Sequence, residues 1–170
     1  DDNTTVLLSV GRVSPEKEVP FILKSYQELK RYQPQRKLKM VVVGDGPIRE
    51  DLEKQYPDVT FMGAQMGEAL AMCYASADVF LFASEVDTFG NVVLEAVSSG
   101  LPVLAYNYAA PALMVENERT GWLLPFGDKE AWQKTLLNLP SLKDLAHMGQ
   151  IASQKVGDCG WDRPVADFES

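Results

Sequence analysis

Residues 79–100, VFLFASEVDTFGNVVLEAVSSG, carry the clearest structural pattern in the chain. An apolar run at 79–82 is followed by a turn-like segment at 87–90 and then by helical spacing that includes Glu95. A strand, a loop and a helix start in this order present free backbone N–H groups to an anion. Asp87 precedes the helix and Glu95 lies about two turns further on, so two carboxylates flank that site. The pattern predicts a sugar-nucleotide site, with phosphate on the N–H groups and hydroxyls on the carboxylates.

The same unit of strand, loop and helix recurs along the chain. Apolar runs predict six strands, at Thr5–Val10, Leu38–Val43, 59–62, 79–82, 102–105 and Gly121–Leu124. The first helix is predicted to begin at Ser14 as cap with Pro15 just inside it, and a last short helix is predicted at 161–168. The alternation predicts an α/β fold: a Rossmann-like, doubly wound, mostly parallel sheet of about six strands with helices on both faces. Ligands of such sheets bind at the carboxyl ends of the strands.

Composition and charge restrict the classes of function. The 170 residues, 46% of them hydrophobic, suit a single domain over 1–170. Sixteen basic and 24 acidic residues give a formal charge of −8, which argues against nucleic-acid binding and against a polybasic membrane patch. The apolar runs are shorter than the roughly 20 residues of a membrane-spanning helix, so we expect a soluble, cytoplasmic protein with no transmembrane segment.

Cysteine and histidine are scarce. Cys73 and Cys159 form no CxxC motif, which argues for a reducing compartment and against a structural zinc site. His147 is the single histidine and lies in a polar helical stretch, so a surface position is expected. A triad or metal centre that depends on histidine is therefore not expected, and no metal or other cofactor is predicted.

Two basic residues follow the first predicted strand. Gly11 and Arg12 come directly after it, and Lys17 lies five positions beyond Arg12. On a loop at a strand's carboxyl end, Arg12 could bind one diphosphate by a forked contact and Lys17 as a point charge. The alternative is a solvated loop with ordinary surface charges.

The glycines at 44 and 46 do not complete a dinucleotide-binding fingerprint. That fingerprint needs a third glycine three residues after the second, and Arg49 occupies this position. A tight turn explains both glycines. The sequence therefore gives little support to a nicotinamide-dependent enzyme.

Glu95 is suited to bind sugar hydroxyls. Asn91, Glu95 and Ser98 share one face of the predicted helix, and such a polar face is often only solvent-exposed. The helix, however, follows the fourth strand, where doubly wound sheets often have their switch point. There a carboxylate can accept hydrogen bonds from two neighbouring hydroxyls of a ribose.

Four segments occur in this order along the chain: GRVSPEK, VVVGDGP, SADVFLFASEVDTFGNVVLEAVSSGLPVLA and ERTGWLLPFGD. Together they resemble the carboxy-terminal half of family 4 of the retaining glycosyltransferases, which have the two-domain GT-B fold. The similarity runs from about residue 6 to residue 128, and the region around Trp161 resembles the family's final helix. It implies a donor-binding domain of a hexosyltransferase that uses a UDP- or GDP-sugar and needs no metal.

The resemblance also implies roles for individual residues. Arg12 and Lys17 match the pair that binds the diphosphate and stabilises the leaving group. Asp87 and Glu95 match the two ends of the family's motif, in which two acids are separated by seven residues. Asp87 would contact the transferred sugar, and Glu95 would contact the ribose. The remaining substrate-binding positions are Gly11 in the phosphate loop; Phe89, Gly90, Asn91 and Val92 for backbone contacts to phosphate and sugar; and Met62 and Gly63 along the base.

The sequence departs from the family pattern in three places. Asp87 stands where the family usually has glutamate, and Glu18 stands where it usually has glycine. The amino-terminal domain that binds the acceptor is not in this sequence, so transfer would need it as a partner, and peripheral membrane contact of the full enzyme stays open. Two alternatives remain: another GT-B sugar-nucleotide enzyme of the epimerase type, marked by catalytic histidine and acid groups, and a non-catalytic Rossmann-like binding module.

Overall fold

The computed structural model describes residues 3–86 and 91–159. Within them lie six strands: β1 (Thr5–Val10), β2 (Leu38–Val43), β3 (Thr60–Gly63), β4 (Val79–Leu81), β5 (Val103–Tyr106) and β6 (Gly121–Leu124). The helices are α1 (Val19–Tyr32), α2 (Arg49–Gln55), α3 (Gly67–Ala75), α4 (Asn91–Ser98), α5 (Ala109–Met114), α6 (Lys129–Leu137) and α7 (Leu142–Cys159). A 3₁₀ turn, Pro15–Lys17, precedes α1.

All the strand pairs are parallel, in the order β3-β2-β1-β4-β5-β6. From β1 the chain proceeds through β2 to β3 at one edge, and from β4 it proceeds through β5 to β6 at the other. The direction of winding therefore reverses between β1 and β4. This is the topological switch point of a doubly wound sheet, where ligands bind at the carboxyl ends of the strands. The predicted Rossmann-like fold is confirmed.

Alternating strand residues pack into two separate cores, one on each face of the sheet. In β1, Leu7 packs against the core that includes Tyr26 and Trp132, whereas Leu8 packs against the core that includes Tyr74 and Val97. Successive side chains of a strand point to opposite faces, so strands covered on both sides are apolar throughout. This explains why the strands are readable as continuous apolar runs.

The start of the first helix differs from the sequence prediction. Ser14 makes no side-chain capping bond, and the chain forms the short 3₁₀ turn before α1 begins at Val19. Between turn and helix, Glu18 adopts a left-handed conformation with φ of 60°. Two strands are shifted by one residue from the predicted ranges 59–62 and 102–105, α5 was not predicted, and the predicted helix at 161–168 lies outside the described residues.

Gly44 and Gly46 allow the loops after β1 and β2 to touch through their backbones. The amide of Gly11 donates to the carbonyl of Val43 at 3.0 Å, and that of Val13 donates to the carbonyl of Asp45 at 3.0 Å. A Cβ atom added to Gly44 would lie 1.9 Å from the carbonyl oxygen of Gly11, and one added to Gly46 would lie 2.2 Å from that of Val13. The tight turn predicted from the sequence thus holds the loop that carries Arg12.

Replacing Gly46 by alanine tests this contact. Gly46→Ala should lower the free energy of unfolding by about 2–3 kcal/mol, because the added methyl group meets backbone atoms that have no room to move. Denaturant unfolding followed by circular dichroism measures the change. Gly157→Ala in α7 is the matched control, since nothing lies within 4 Å of its added Cβ and alanine favours the helix. Equal stability of the two variants would contradict the close approach of the two loops.

Candidate active site at the β1–β4 switch point

A cavity of about 370 Å³ opens at the carboxyl ends of β1 and β4. It lies at the switch point, between the loop after β1 and the segment that leads from β4 to α4. The lining residues are Ser9, Val10, Gly11, Arg12, Lys17, Val19, Ile22, Val42, Leu81, Phe82, Ala83, Ser84, Asn91 and Val92. Five of the residues predicted from the sequence, Gly11, Arg12, Lys17, Asn91 and Val92, are therefore brought together.

Both predicted cations line this cavity. Arg12 lies two residues after β1 ends, its side chain is 61% exposed, and its Nε atom lies 4.0 Å from the carboxylate of Glu16. Lys17 ends the 3₁₀ turn and is half-buried. The contact between Arg12 and Glu16 is long and solvent-exposed, so it contributes little and leaves the guanidinium available to an anionic ligand.

Glu18, the residue after Lys17, is paired with Lys129 of α6. The lysine Nζ lies 3.0 Å from one carboxylate oxygen of Glu18 and 5.4 Å from the centre of the Phe21 ring. This pairing balances the acidic charge that the sequence places beside the two cations. The left-handed φ of Glu18 explains why glycine suits this position, since glycine adopts that conformation without steric cost.

The wall on the β4 side is held by hydrogen bonds to the backbone. The Ser84 hydroxyl donates to the carbonyl of Val86 at 2.6 Å and accepts from its amide at 3.1 Å. The indole of the fully buried Trp132 donates to the carbonyl of Phe82 at 3.3 Å. These bonds fix the chain where it leaves the sheet. Three predicted site residues that follow, Asp87, Phe89 and Gly90, lie outside the described residues.

Glu95 is half-buried on α4, one turn beyond Asn91, and is not among the residues that line the cavity. Its Oε1 atom accepts a hydrogen bond of 2.9 Å from the hydroxyl of Tyr74, which also lies 3.4 Å from the carbonyl oxygen of Val92. Burial, and secondly the charge of Glu95, raises the pKa of Tyr74 well above its usual value. Tyr74 is therefore a protonated donor at neutral pH.

Met62 and Gly63 lie apart from the cavity. Gly63 ends β3 with φ of 71°, and its carbonyl accepts from the amide of Gly44 at 2.8 Å. Met62 is 43% exposed and lines a separate hollow of about 390 Å³ beside α3, together with Met72 and Cys73. Neither predicted position lines the cavity, although Gly63 is linked to the loop of Gly11 through its bond to Gly44.

Residues 3–86 and 91–159 contain no group of three or more histidine, cysteine, aspartate or glutamate side chains that could hold a metal ion. His147 is exposed on α7, as predicted. No helix in the same part of the chain is both long and apolar enough to cross a membrane.

Comparison with protein families identifies the family of this chain. A family model described as "Glycosyl transferases group 1" matches residues 4–141. The chain belongs to this family. A GDP-mannose-dependent alpha-mannosyltransferase of Mycobacterium tuberculosis is 40% identical over 129 residues, which cover 76% of this chain and 32% of the relative. A sulfoquinovosyl transferase of Arabidopsis thaliana is 34% identical over 164 residues, which cover 92% of this chain and 31% of the relative.

Solved structures share the fold of this glycosyltransferase family member. The pneumococcal O-GlcNAc transferase GtfA, crystallised with UDP and GlcNAc, matches 95% of this chain and 35% of its own, with a TM-score of 0.78 and 21% identity. The C-terminal domain of a group 1 glycosyl transferase from Francisella tularensis matches 91% of this chain and 85% of its own, with a TM-score of 0.76 and 18% identity. The fold is thus the Rossmann-like fold of GT-B enzymes, and the chain spans about a third of the two curated relatives, 32% and 31%.

Sequence patterns missed several residues of the site in this glycosyltransferase domain. Ser9, Phe82 and Ser84 line the cavity only because β1 and β4 are neighbours, and strand order is a tertiary property. No spacing in the sequence signalled the bond between Tyr74 and Glu95, which lie 21 positions apart. A rule that treats every residue at a strand's carboxyl end as a candidate would have found the first group.

Paired substitutions at Glu18 test the left-handed backbone conformation of this residue. Glu18→Gly and Glu18→Ala both remove the ion pair with Lys129, but only glycine accepts φ of 60° without strain. Glu18→Gly should therefore exceed Glu18→Ala in free energy of unfolding by about 1 kcal/mol, measured by denaturant unfolding. Glu16 in the adjacent 3₁₀ turn is the control position, where alanine should be the more stable of the two. The same order at both positions would contradict a left-handed Glu18.

Proposed function

We propose that this chain is the carboxy-terminal, donor-binding domain of a sugar-nucleotide-dependent retaining glycosyltransferase that transfers a hexose. The observation that carries the proposal is the cavity at the switch point, which has two cationic side chains, Arg12 and Lys17, on one side and the first residues of α4 on the other. Family membership supports the reaction class. The names of the relatives support a nucleoside-diphosphate sugar as donor, with GDP in one case and UDP in another.

Charge stabilisation is the chemistry that these residues are suited to provide. When the glycosidic bond of the donor breaks, negative charge grows on the leaving diphosphate. Arg12 and Lys17 would neutralise that charge, and the amides at the start of α4 would donate to the phosphate oxygens. A preorganised cationic cavity costs little reorganisation at the moment of reaction, so it favours departure of the nucleoside diphosphate.

Different residues would bind different parts of the donor in this proposal. Glu95 would accept the ribose hydroxyls, and Asp87 would accept hydroxyls of the transferred sugar. Phe89, Gly90, Asn91 and Val92 would supply backbone contacts to phosphate and sugar. Gly11 would let the phosphate approach the chain closely, and Met62 with Gly63 would lie along the base. No metal or other cofactor forms part of this proposal.

In this proposal the acceptor binds to a second domain. The curated relatives are about three times as long as the matched segment, since that segment covers 32% and 31% of them. Their remaining length leaves room for an amino-terminal domain that binds the acceptor and closes the cleft, in a cytoplasmic enzyme whose contact with a membrane would be peripheral. The present chain should then bind a nucleoside diphosphate weakly and transfer no sugar.

Isothermal titration with UDP, GDP and ADP tests the proposal directly. We expect heat of binding with at least one of them, and no sugar transfer from the matching nucleotide sugar to water or to added sugars. Thermal denaturation in the same buffer separates lack of binding from unfolding of the chain. No binding of any of the three nucleotides up to millimolar concentration would refute the proposal.

Alanine substitution of the two cations tests which groups hold the diphosphate. Arg12→Ala and Lys17→Ala should each lower the affinity for the nucleoside diphosphate about tenfold, because each removes a charge-assisted contact to phosphate. Binding should also weaken with added salt, which screens such contacts. Lys143→Ala is the matched control, since Lys143 is exposed on α7 and does not line the cavity. An equal loss in all three variants would contradict a specific role for Arg12 and Lys17.

A further inference from the structure

Tyr74 makes an interaction that the proposed function does not use. It lies on α3, is only 2% exposed, and donates its hydroxyl to Oε1 of Glu95 at 2.9 Å. The other proposed donor-binding residues that the structure describes lie at the ends of strands, in the loop and turn after β1, or on α4. Tyr74 thus brings α3 into contact with a proposed donor-binding residue.

The Tyr74 hydroxyl is held firmly from within the core. The tyrosine ring packs against Phe80 of β4, with ring centres 6.1 Å apart, and belongs to the apolar core on that face of the sheet. A glutamate side chain has three rotatable bonds and loses considerable entropy when fixed, whereas a buried tyrosine ring is already fixed by its packing. The hydrogen bond from this fixed ring therefore restricts the orientation of the Glu95 carboxylate.

The same hydroxyl lies near the first turn of α4. It is 3.4 Å from the carbonyl oxygen of Val92, and Val92 lines the cavity. Asn91 lines the cavity as well, and Glu95 follows it by four positions, so the two share one helix face. Tyr74 thus contacts α4 at the cavity and one turn behind it.

We propose that Tyr74 is a positioning residue that orients the Glu95 carboxylate to accept the ribose hydroxyls of the nucleotide. The inference rests on the proposed function, because it presupposes that Glu95 binds ribose. The bond from Tyr74 occupies one of the roughly four acceptor positions that a carboxylate offers. A carboxylate already held in one orientation loses less entropy when it binds two adjacent hydroxyls, which favours a ribonucleotide.

Tyr74→Phe is the variant that tests this role. It removes one oxygen atom and keeps the ring that packs against Phe80. We expect the affinity for GDP, or for UDP if that is the nucleotide bound, to fall about fivefold. The affinity for the dideoxy analogue, which lacks both ribose hydroxyls, should stay within about twofold of that of the unaltered chain. Calorimetric titration of each chain with both nucleotides gives the ratio of the two affinities.

Two further variants separate this role from general destabilisation. Tyr26→Phe removes the hydroxyl of a tyrosine that is also 2% exposed but lies in the core on the opposite face, so it should leave the affinity ratio unchanged. In a Glu95→Gln chain, the preference for the ribonucleotide should be small, and adding Tyr74→Phe should reduce it no further. This result would show that Tyr74 acts through Glu95.

The outcomes distinguish failure of this inference from failure of the proposed function. If Glu95→Gln abolishes the ribonucleotide preference and Tyr74→Phe leaves it intact, Tyr74 has no positioning role and the proposed function stands. If the unaltered chain binds neither nucleotide, or binds GDP and its dideoxy analogue equally, the ribose role of Glu95 fails and the inference falls with it.

A measurement on the unaltered chain serves if Tyr74→Phe does not fold. Ribose hydroxyls that donate to Glu95 weaken its bond with Tyr74, so the NMR signal of the tyrosine ring carbon that bears the hydroxyl should shift on adding GDP. The dideoxy analogue should leave that signal in place. Equal shifts with both nucleotides would overturn the inference.

Discussion

The pairing of β1 with β4 is the constraint on which the site depends. Asp78, the residue before β4, accepts the amide of Val6 on its carboxylate at 2.8 Å and donates its own amide to the carbonyl of Val6 at 2.8 Å. These bonds join two segments that lie 72 positions apart in the chain. Because they fix the register at the amino ends, the carboxyl ends of β1 and β4 come level, and the loops that follow diverge around one cavity.

Charge at this cavity is arranged over several elements. Arg12 and Lys17 supply the positive side, and the nearby Glu18 is paired with Lys129 of α6. The chain as a whole carries a formal charge of −8, so the cationic cavity is a local feature of an acidic molecule. A local excess of positive charge in a concave site attracts an anionic ligand without making the whole surface basic. This suits a nucleoside diphosphate better than a long polyanion.

The sequence was most informative where one segment determines its own structure. Every strand was predicted to within a residue or so of its observed bounds, because strands buried on both faces are short apolar runs. The glycine turn at 44–46 was also recognised. The reason for these glycines was not recognised, because the backbone contact that they allow with Gly11 and Val13 joins two segments about 30 residues apart.

The failures of sequence reasoning have tertiary causes. The first helix was placed at Ser14 because serine followed by proline is a common helix start, but the left-handed Glu18 delays α1 to Val19. α5 was missed because it has only six residues and includes Pro111. The bond between Tyr74 and Glu95 depends on how α3 and α4 pack on the same face of the sheet, and no local pattern encodes that packing.

The central claim is that a nucleoside diphosphate binds between the carboxyl ends of β1 and β4. NMR titration of the isotope-labelled chain with GDP and UDP tests it most directly, since each backbone amide reports its own surroundings. The account predicts that the largest shifts fall at Gly11, Arg12, Lys17, Asn91 and Val92. Largest shifts in the hollow between the end of α4 and α7, at Ser99, Gly100, Gln150 and Gln154, would contradict it.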